Sequence, residues 1–155
     1  MKELELQSMI IDAVIDKGKG HAYKASSRFL VGVADVLIKL PQWSAGFLEV
    51  KQRDWPATDA RFLLDVTHAQ QIFLRRFNAA GMPCGVASFL QMGTGAGFKL
   101  WLNISTWETI AYGDDQIEPF SITRTAYTYL GKHDERAGHI LNLLHDWLMN
   151  WEDKH

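Results

Sequence analysis

Two short strands and the five residues between them constrain this chain more than any other feature. Residues 33–40, Val-Ala-Asp-Val-Leu-Ile-Lys-Leu, and 46–51, Gly-Phe-Leu-Glu-Val-Lys, read as strands, and Pro-Gln-Trp-Ser-Ala at 41–45 is turn-like. The pair therefore reads as a hairpin. A register with Leu40 opposite Gly46 puts Ala34, Val36, Ile38 and Leu40 on one face with Gly46, Leu48 and Val50, an apolar layer suited to a core. Asp35, Leu37 and Lys39 then share the other face with Phe47, Glu49 and Lys51, with Asp35 opposite Lys51 and diagonal to Glu49. A slip of one residue would bury the charges, so burial itself favours the arrangement that gathers them.

A carboxylate, then a carboxylate and a lysine one residue apart, suits metal-assisted phosphodiester hydrolysis. Hard oxygen ligands hold Mg²⁺, and a neighbouring ammonium stabilises charge on the attacking water or the phosphorane. Taken alone, the hairpin fits a solvated charged face equally well.

Three segments carry a wider likeness: Gly32-Val33-Ala34-Asp35, Phe47-Leu48-Glu49-Val50-Lys51, and Thr67-x-x-Gln70-x-x-Phe73-Leu74 closing with Ala79-Ala80-Gly81. Together they resemble the PD-(D/E)xK nuclease superfamily, and within it the small virus-type replication-repair (VRR-NUC) nucleases and phage Holliday-junction-resolvase-like proteins. The likeness spans residues 3–92. It implies an α/β, restriction-endonuclease-like fold with an α-β-β-β-α-β core that binds Mg²⁺ or Mn²⁺ and cuts DNA. The proline usual before the first acid is Ala34 here. By resemblance, Asp35 and Glu49 are metal ligands with the Val50 carbonyl beside them, and Lys51 and Gln70 are catalytic.

The first helix offers another carboxylate. Leu6, Met9, Ile10, Ala13 and Val14 form an apolar stripe at helical spacing, and Glu3 falls in line with it, whereas Glu5, Asp12 and Asp16 lie opposite. Glu3 is either a first-turn residue near the helix dipole or a metal ligand. In the resembled family an acid followed four residues later by glutamine joins the metal site, and Glu3 and Gln7 have that spacing. Gln70 has a structural rival role, since Thr67-His68-Ala69-Gln70 is also a capping box.

The chain's 155 residues, 47% of them hydrophobic, fit one domain, with a core at about 3–92 and an extension at about 93–155. No apolar run is long enough for a membrane span or a signal peptide, and a single cysteine, Cys84, fits a reducing cytoplasm, while the resemblance implies phage or bacterial origin. Cys84 opens an apolar strand and reads as a buried structural thiol.

A net charge of −2 argues against a nucleic-acid partner, but its distribution does not. Residues 1–85 hold eleven Lys or Arg against nine acids, and residues 86–155 hold five against nine. Lys17, Lys19, Lys24 and Arg28 precede the first acid, and Arg53 follows the second, so these five are candidate phosphate contacts, with solvated surface as the alternative. Trp43 and Trp55 flank the Glu49 strand as candidates for base stacking or for packing.

Beyond Met92, the glycines of 93–97 predict a hairpin turn into a strand at 98–104, residues 105–108 read as a helix cap, and 111–133 follow no pattern. A helix is expected from Asp134, its Ile140, Leu141, Leu144, Trp147, Leu148 and Trp151 serving either as sheet cover or as a homodimer surface. His133, His139 and His145, six residues apart, read as surface histidines rather than a zinc site. The chain is thus expected to be a Mg²⁺-dependent endonuclease on branched DNA, such as a Holliday junction, in phage-like replication, recombination or repair. The alternatives are a sequence-specific restriction endonuclease and a non-catalytic DNA- or protein-binding member of the same fold.

Overall fold

The computed structural model describes residues 1–26, 31–54, 61–93, 95–106, 120–123 and 126–155. Helix α1 (Glu3–Asp12) runs on as a π-helical turn, Ala13–Lys17. Then come β1 (His21–Lys24), β2 (Val36–Lys39), β3 (Gly46–Asp54), β4 (Arg61–Leu64), α2 (His68–Ala79), β5 (Cys84–Met92), β6 (Lys99–Thr106), β7 (Phe120–Thr123), β8 (Thr128–Tyr129) and α3 (Arg136–Lys154).

Six strands form one sheet in the order β1-β2-β3-β5-β6-β8, while β4 and β7 pair separately. Among the described strands only β3 and β5 run parallel, and a parallel pair needs a crossover, which α2 supplies. Helix, three antiparallel strands, helix, and a strand returning parallel to the third is the order of the restriction-endonuclease-like fold.

The alternation along β3 decides what each side of the sheet does. Leu48 and Val50 point into the larger core with α1 and α3, where Leu6, Ile10, Ala13, Val14, Ile140, Leu144 and Leu148 close over the sheet. Phe47 packs toward a smaller cluster on the α2 side, built on Leu74, Cys84, Val86, Leu90 and Tyr127. Central strand β5 is buried from Cys84 to Gln91, as a strand covered on both faces must be. Burial pushes the Cys84 thiol up to about 12, which suits a structural side chain and not a nucleophile.

Several expectations need correction. The β2–β3 register pairs Val36 with Leu48 and Ile38 with Gly46, two residues away from the one the sequence suggested. A two-residue slip keeps every side chain on its face. It sets Asp35 level with Glu49 instead of Lys51. The strand at 33–40 is shorter than expected: at Asp35 the chain has parted from β3, although the Asp35 carbonyl still accepts the Ala25 N–H just beyond β1 at 2.9 Å. Among the described residues the extension carries β6, β7, β8 and α3 where one strand and a helix were expected, since β7 and β8 lie in the stretch read as patternless. Ser105 and Thr106 end β6, and the short helix expected after them lies outside the described residues. The turn at 93–97 is as expected, with Gly93 and Gly95 at positive φ.

Helix α3 covers its own sheet. Leu144, Trp147, Leu148 and Trp151 are buried, and the Trp151 indole donates to Asn78 Oδ1 of α2 at 3.0 Å, so these residues present no dimer surface. Trp43 is also committed to packing, its indole donating to His145 Nδ1 at 2.6 Å. Trp55 and Arg28 lie outside the described residues.

Candidate active site

Asp35, Glu49, Lys51 and Gln70 meet on the α2 side of the sheet. Asp35 sits where β2 peels away from β3, and its Oδ2 accepts the Val50 N–H at 2.8 Å. In a strand the N–H and C=O of one residue point to the same edge. Phe47 N–H donates to Pro83 O on the β5 side, so odd-numbered residues of β3 face β5, and Val50 faces the gap beside Asp35. The Val50 carbonyl therefore points into the same gap as the Asp35 carboxylate.

Glu49 is 1% exposed. Its Oε1 accepts from Gln70 Nε2 at 2.7 Å and lies 3.5 Å from Lys51 Nζ. Its Oε2 is buried with no hydrogen-bond partner among the described residues. The Glu49 carboxyl is raised to about 8, by burial first and then by the negative charge of Asp35, with Lys51 working the other way without overcoming them. A buried carboxyl beside a second carboxylate is relieved either by holding a proton, as its raised pKa implies in the absence of metal, or by a cation that displaces that proton. Two carboxylates and a backbone carbonyl form a hard-oxygen donor set, which fits Mg²⁺ or Mn²⁺. Among the described residues no three of His, Cys, Asp and Glu converge, so the set rests on two acids.

Gln70 makes the capping contact and also reaches Glu49. Thr67 caps α2, and Gln70 Oε1 accepts the Thr67 N–H at 2.9 Å, completing a capping box. The other end of the same amide reaches Glu49. Gln70→Glu keeps the capping acceptor but sets a third carboxylate against Glu49. We expect this variant to melt within a few degrees of wild type and to cleave about 10²-fold more slowly. Undiminished cleavage would show that the contact to Glu49 is not used.

Gly32 joins the two halves of the site. It has φ +87, and a Cβ there would lie 2.6 Å from the carbonyl carbon and oxygen of Ala69, in the first turn of α2. The segment leading to Asp35 is thus seated on the turn that carries Gln70. Gly32→Ala should cost about 2–4 kcal/mol in denaturant unfolding. Ala69→Gly should not rescue it, because the clash is with backbone.

Other sequence candidates fall elsewhere. Glu3 is exposed in the first turn of α1 and makes no hydrogen bond or ion pair with the site. Gln7, one turn on, is 4% exposed with a buried, unpartnered Oε1. Lys17 and Lys19 lie in and just after the π-helical turn that packs on α3, and Lys19 Nζ is spent on Asp16 O at 2.8 Å. Lys24 stands opposite Val36, on the face away from the site. Arg53 alone of the described phosphate candidates shares the face of Glu49 and Lys51. His139 is bonded to the Tyr129 carbonyl at 3.1 Å.

Sequence reading overlooked Ser88 and Tyr127. Ser88 pairs with Lys51 across the parallel ladder and is wholly buried. The hint available was a hydroxyl in the apolar series Cys84, Val86, Ser88, Leu90. For Tyr127, in a stretch without pattern, there was none.

Comparison with family models and with curated proteins finds no match. Among solved structures the chain is similar to the Holliday junction resolvase Hjc of the archaeal hyperthermophile Archaeoglobus fulgidus. The two share 17% identity over 89% of this chain and 97% of that one, with a TM-score of 0.49.

Proposed function

We propose that this chain is a metal-dependent nuclease that hydrolyses DNA phosphodiester bonds, with branched DNA as its substrate. One observation carries the reading: Glu49 is buried beside Asp35 and Lys51, with one carboxylate oxygen unmatched by the protein. A structural ion pair would satisfy that oxygen, and a non-catalytic relic has no reason to retain the strain.

Asp35, Glu49 and the Val50 carbonyl would hold the cation. A divalent ion there supplies Lewis-acid polarisation of a phosphoryl oxygen and neutralises its charge. The residues themselves orient and exclude. Gln70 fixes which Glu49 oxygen remains open, by occupying Oε1. Lys51, itself 9% exposed, holds its ammonium beside Glu49 and stabilises negative charge developing on the phosphate. The Val50 N–H fixes the Asp35 carboxylate, so neither acid must reorganise when substrate arrives.

Branched DNA is favoured over a sequence-specific site because the described site face offers few cations beyond Lys51, namely Arg53 and Lys39, and the Lys39 ammonium is already bonded to backbone carbonyls, which suits backbone contact more than base reading. A junction has approximate two-fold symmetry, and a symmetric homodimer would supply two matched sites. Incubation with Mg²⁺ and labelled duplex, flap, single-stranded and four-way-junction DNA tests the reading. Cleavage concentrated on the junction supports it. Cutting of duplex at one sequence favours a restriction enzyme, and binding without cutting favours the relic.

A further inference from the structure

Strand β1 is one edge of the six-stranded sheet, and its alternation puts two rings on the side that carries the site. Ala22 is buried in the larger core with Val36 and Ile38, so His21 and Tyr23, opposite Lys39 and Leu37, face the other way. Leu37 in turn pairs with Phe47, and the next side chains on that face are Asp35 and Glu49. The Ala25 N–H donates to the Asp35 carbonyl at 2.9 Å, which carries the β1–β2 register past the strand's end. Tyr23 is therefore a diagonal cross-strand neighbour of Asp35, roughly 7–8 Å away on the same face.

Tyr23 is 50% exposed, the most exposed of the described phenylalanine, tyrosine and tryptophan side chains. Phe47, two strands inward, instead packs edge-on against Phe73 and Phe77 of α2. The Tyr23 ring meets His21, with centroids 6.0 Å apart and planes inclined at 55°, a contact that steadies the ring without lying flat on it. A half-exposed ring gains little from burial in the folded chain. Beside a centre that holds a phosphate it suits a nucleobase, because every base has a π-face and stacking is indifferent to sequence. Bases in an intact duplex cover one another, whereas a branch point or a single strand offers an open face at small cost.

We propose that Tyr23 stacks on an unstacked base of the DNA whose phosphate lies at Asp35 and Glu49, and so selects branched or single-stranded substrates over intact duplex. The inference rests on the nuclease reading and deepens it, since it names the residue that recognises the branch.

Tyr23→Val removes the ring and keeps a residue suited to a strand. In the absence of metal, its affinity for four-way-junction and flap DNA should fall about tenfold, and its affinity for duplex should stay within about twofold of wild type. Tyr23→Phe should match the wild type on all of them. Equal loss on branched and duplex DNA, or no loss on either, would overturn the proposal. A loss in Tyr23→Phe as large as in Tyr23→Val would also overturn it, by making the hydroxyl the contact. A second readout is photochemical: iodouracil placed at the branch point should crosslink to Tyr23 under ultraviolet light, as mapped by mass spectrometry. Neither measurement needs cleavage. A wild type that crosslinks through Tyr23 but cuts no DNA in Mg²⁺ would sink the nuclease reading and leave the stacking contact standing. One that cuts branched DNA with no crosslink at Tyr23 would sink this inference alone.

Discussion

Glu49→Gln is expected to be more stable than the wild type at pH 8 in the absence of metal, and inactive at every Mg²⁺ concentration. Both effects share one cause. The native Glu49 carboxyl titrates near 8, against a reference value of 4.5. Below pH 4.5 the folded and unfolded chains both carry the proton, and Glu49 costs nothing. Between about 4.5 and 8 the folded chain retains a proton that the unfolded chain has released. Stability therefore falls as pH rises through that window, and above it the full penalty is present. Glutamine has the same shape, accepts the Gln70 amide in the same way, and carries no charge to desolvate. At pH 8 its metal-free Tm should exceed that of the wild type by roughly 5–10 °C, and the difference should vanish near pH 4.5. Mg²⁺ should raise the wild-type Tm at pH 8 and leave that of Glu49→Gln unchanged. Asp35→Asn should likewise be folded and inactive, and should stabilise less, because Asp35 is only part of what raises Glu49. Calorimetry from pH 4 to 9 with and without Mg²⁺ reads all of this. A wild type whose metal-free stability rises toward pH 8 would remove the strained carboxylate and the argument for a cation.

The residues at the centre of this site were legible because period-two alternation assigns faces independently of register. Asp35, Glu49 and Lys51 stay on one face whether β2 and β3 pair as the sequence suggested or two residues away, as they do. The register itself was not legible. It depends on where β2 leaves the sheet, and that is set by Gly32 packing on the α2 backbone, a contact between segments far apart in sequence. Helix α3 was equally readable as a stripe and unreadable as a surface, since Leu144, Trp147, Leu148 and Trp151 suit a core or an interface alike. Capping boxes are local, so the bond from Thr67 to Gln70 was foreseeable, but its extension to Glu49 joins α2 to β3 and needs the fold. Ser88 and Tyr127 mark the limit. Burial of a hydroxyl is a property of what surrounds it, and what surrounds Ser88 comes from β3 and from residues after β6.

Lys51→Met should lower the single-turnover cleavage rate at saturating DNA by about 10²-fold or more, with DNA affinity within a few-fold of wild type. Methionine keeps most of the stem and discards the charge. A solvated lysine that merely meets a phosphate would behave otherwise, weakening binding and reducing its salt dependence. Lys51 is 9% exposed, and its ammonium lies 3.5 Å from Glu49 Oε1. Its charge therefore acts inside the site, where screening is weak, rather than on the approach to it. A second effect follows from the same contact. Lys51 is the group that pulls the Glu49 carboxyl down against burial and Asp35. Without it Glu49 holds its proton to a higher pH, and proton and cation compete for one carboxylate. Calorimetric titration of Lys51→Met at pH 7 should need more Mg²⁺ than the wild type, and raising the pH should restore metal binding. The cleavage rate should not recover with it, because charge on the developing phosphorane is stabilised by the ammonium and not by the state of Glu49. Full recovery of rate at high pH and high Mg²⁺ would reduce Lys51 to an aid to metal binding. Lost affinity with undiminished turnover at saturating DNA would reduce it to a phosphate contact.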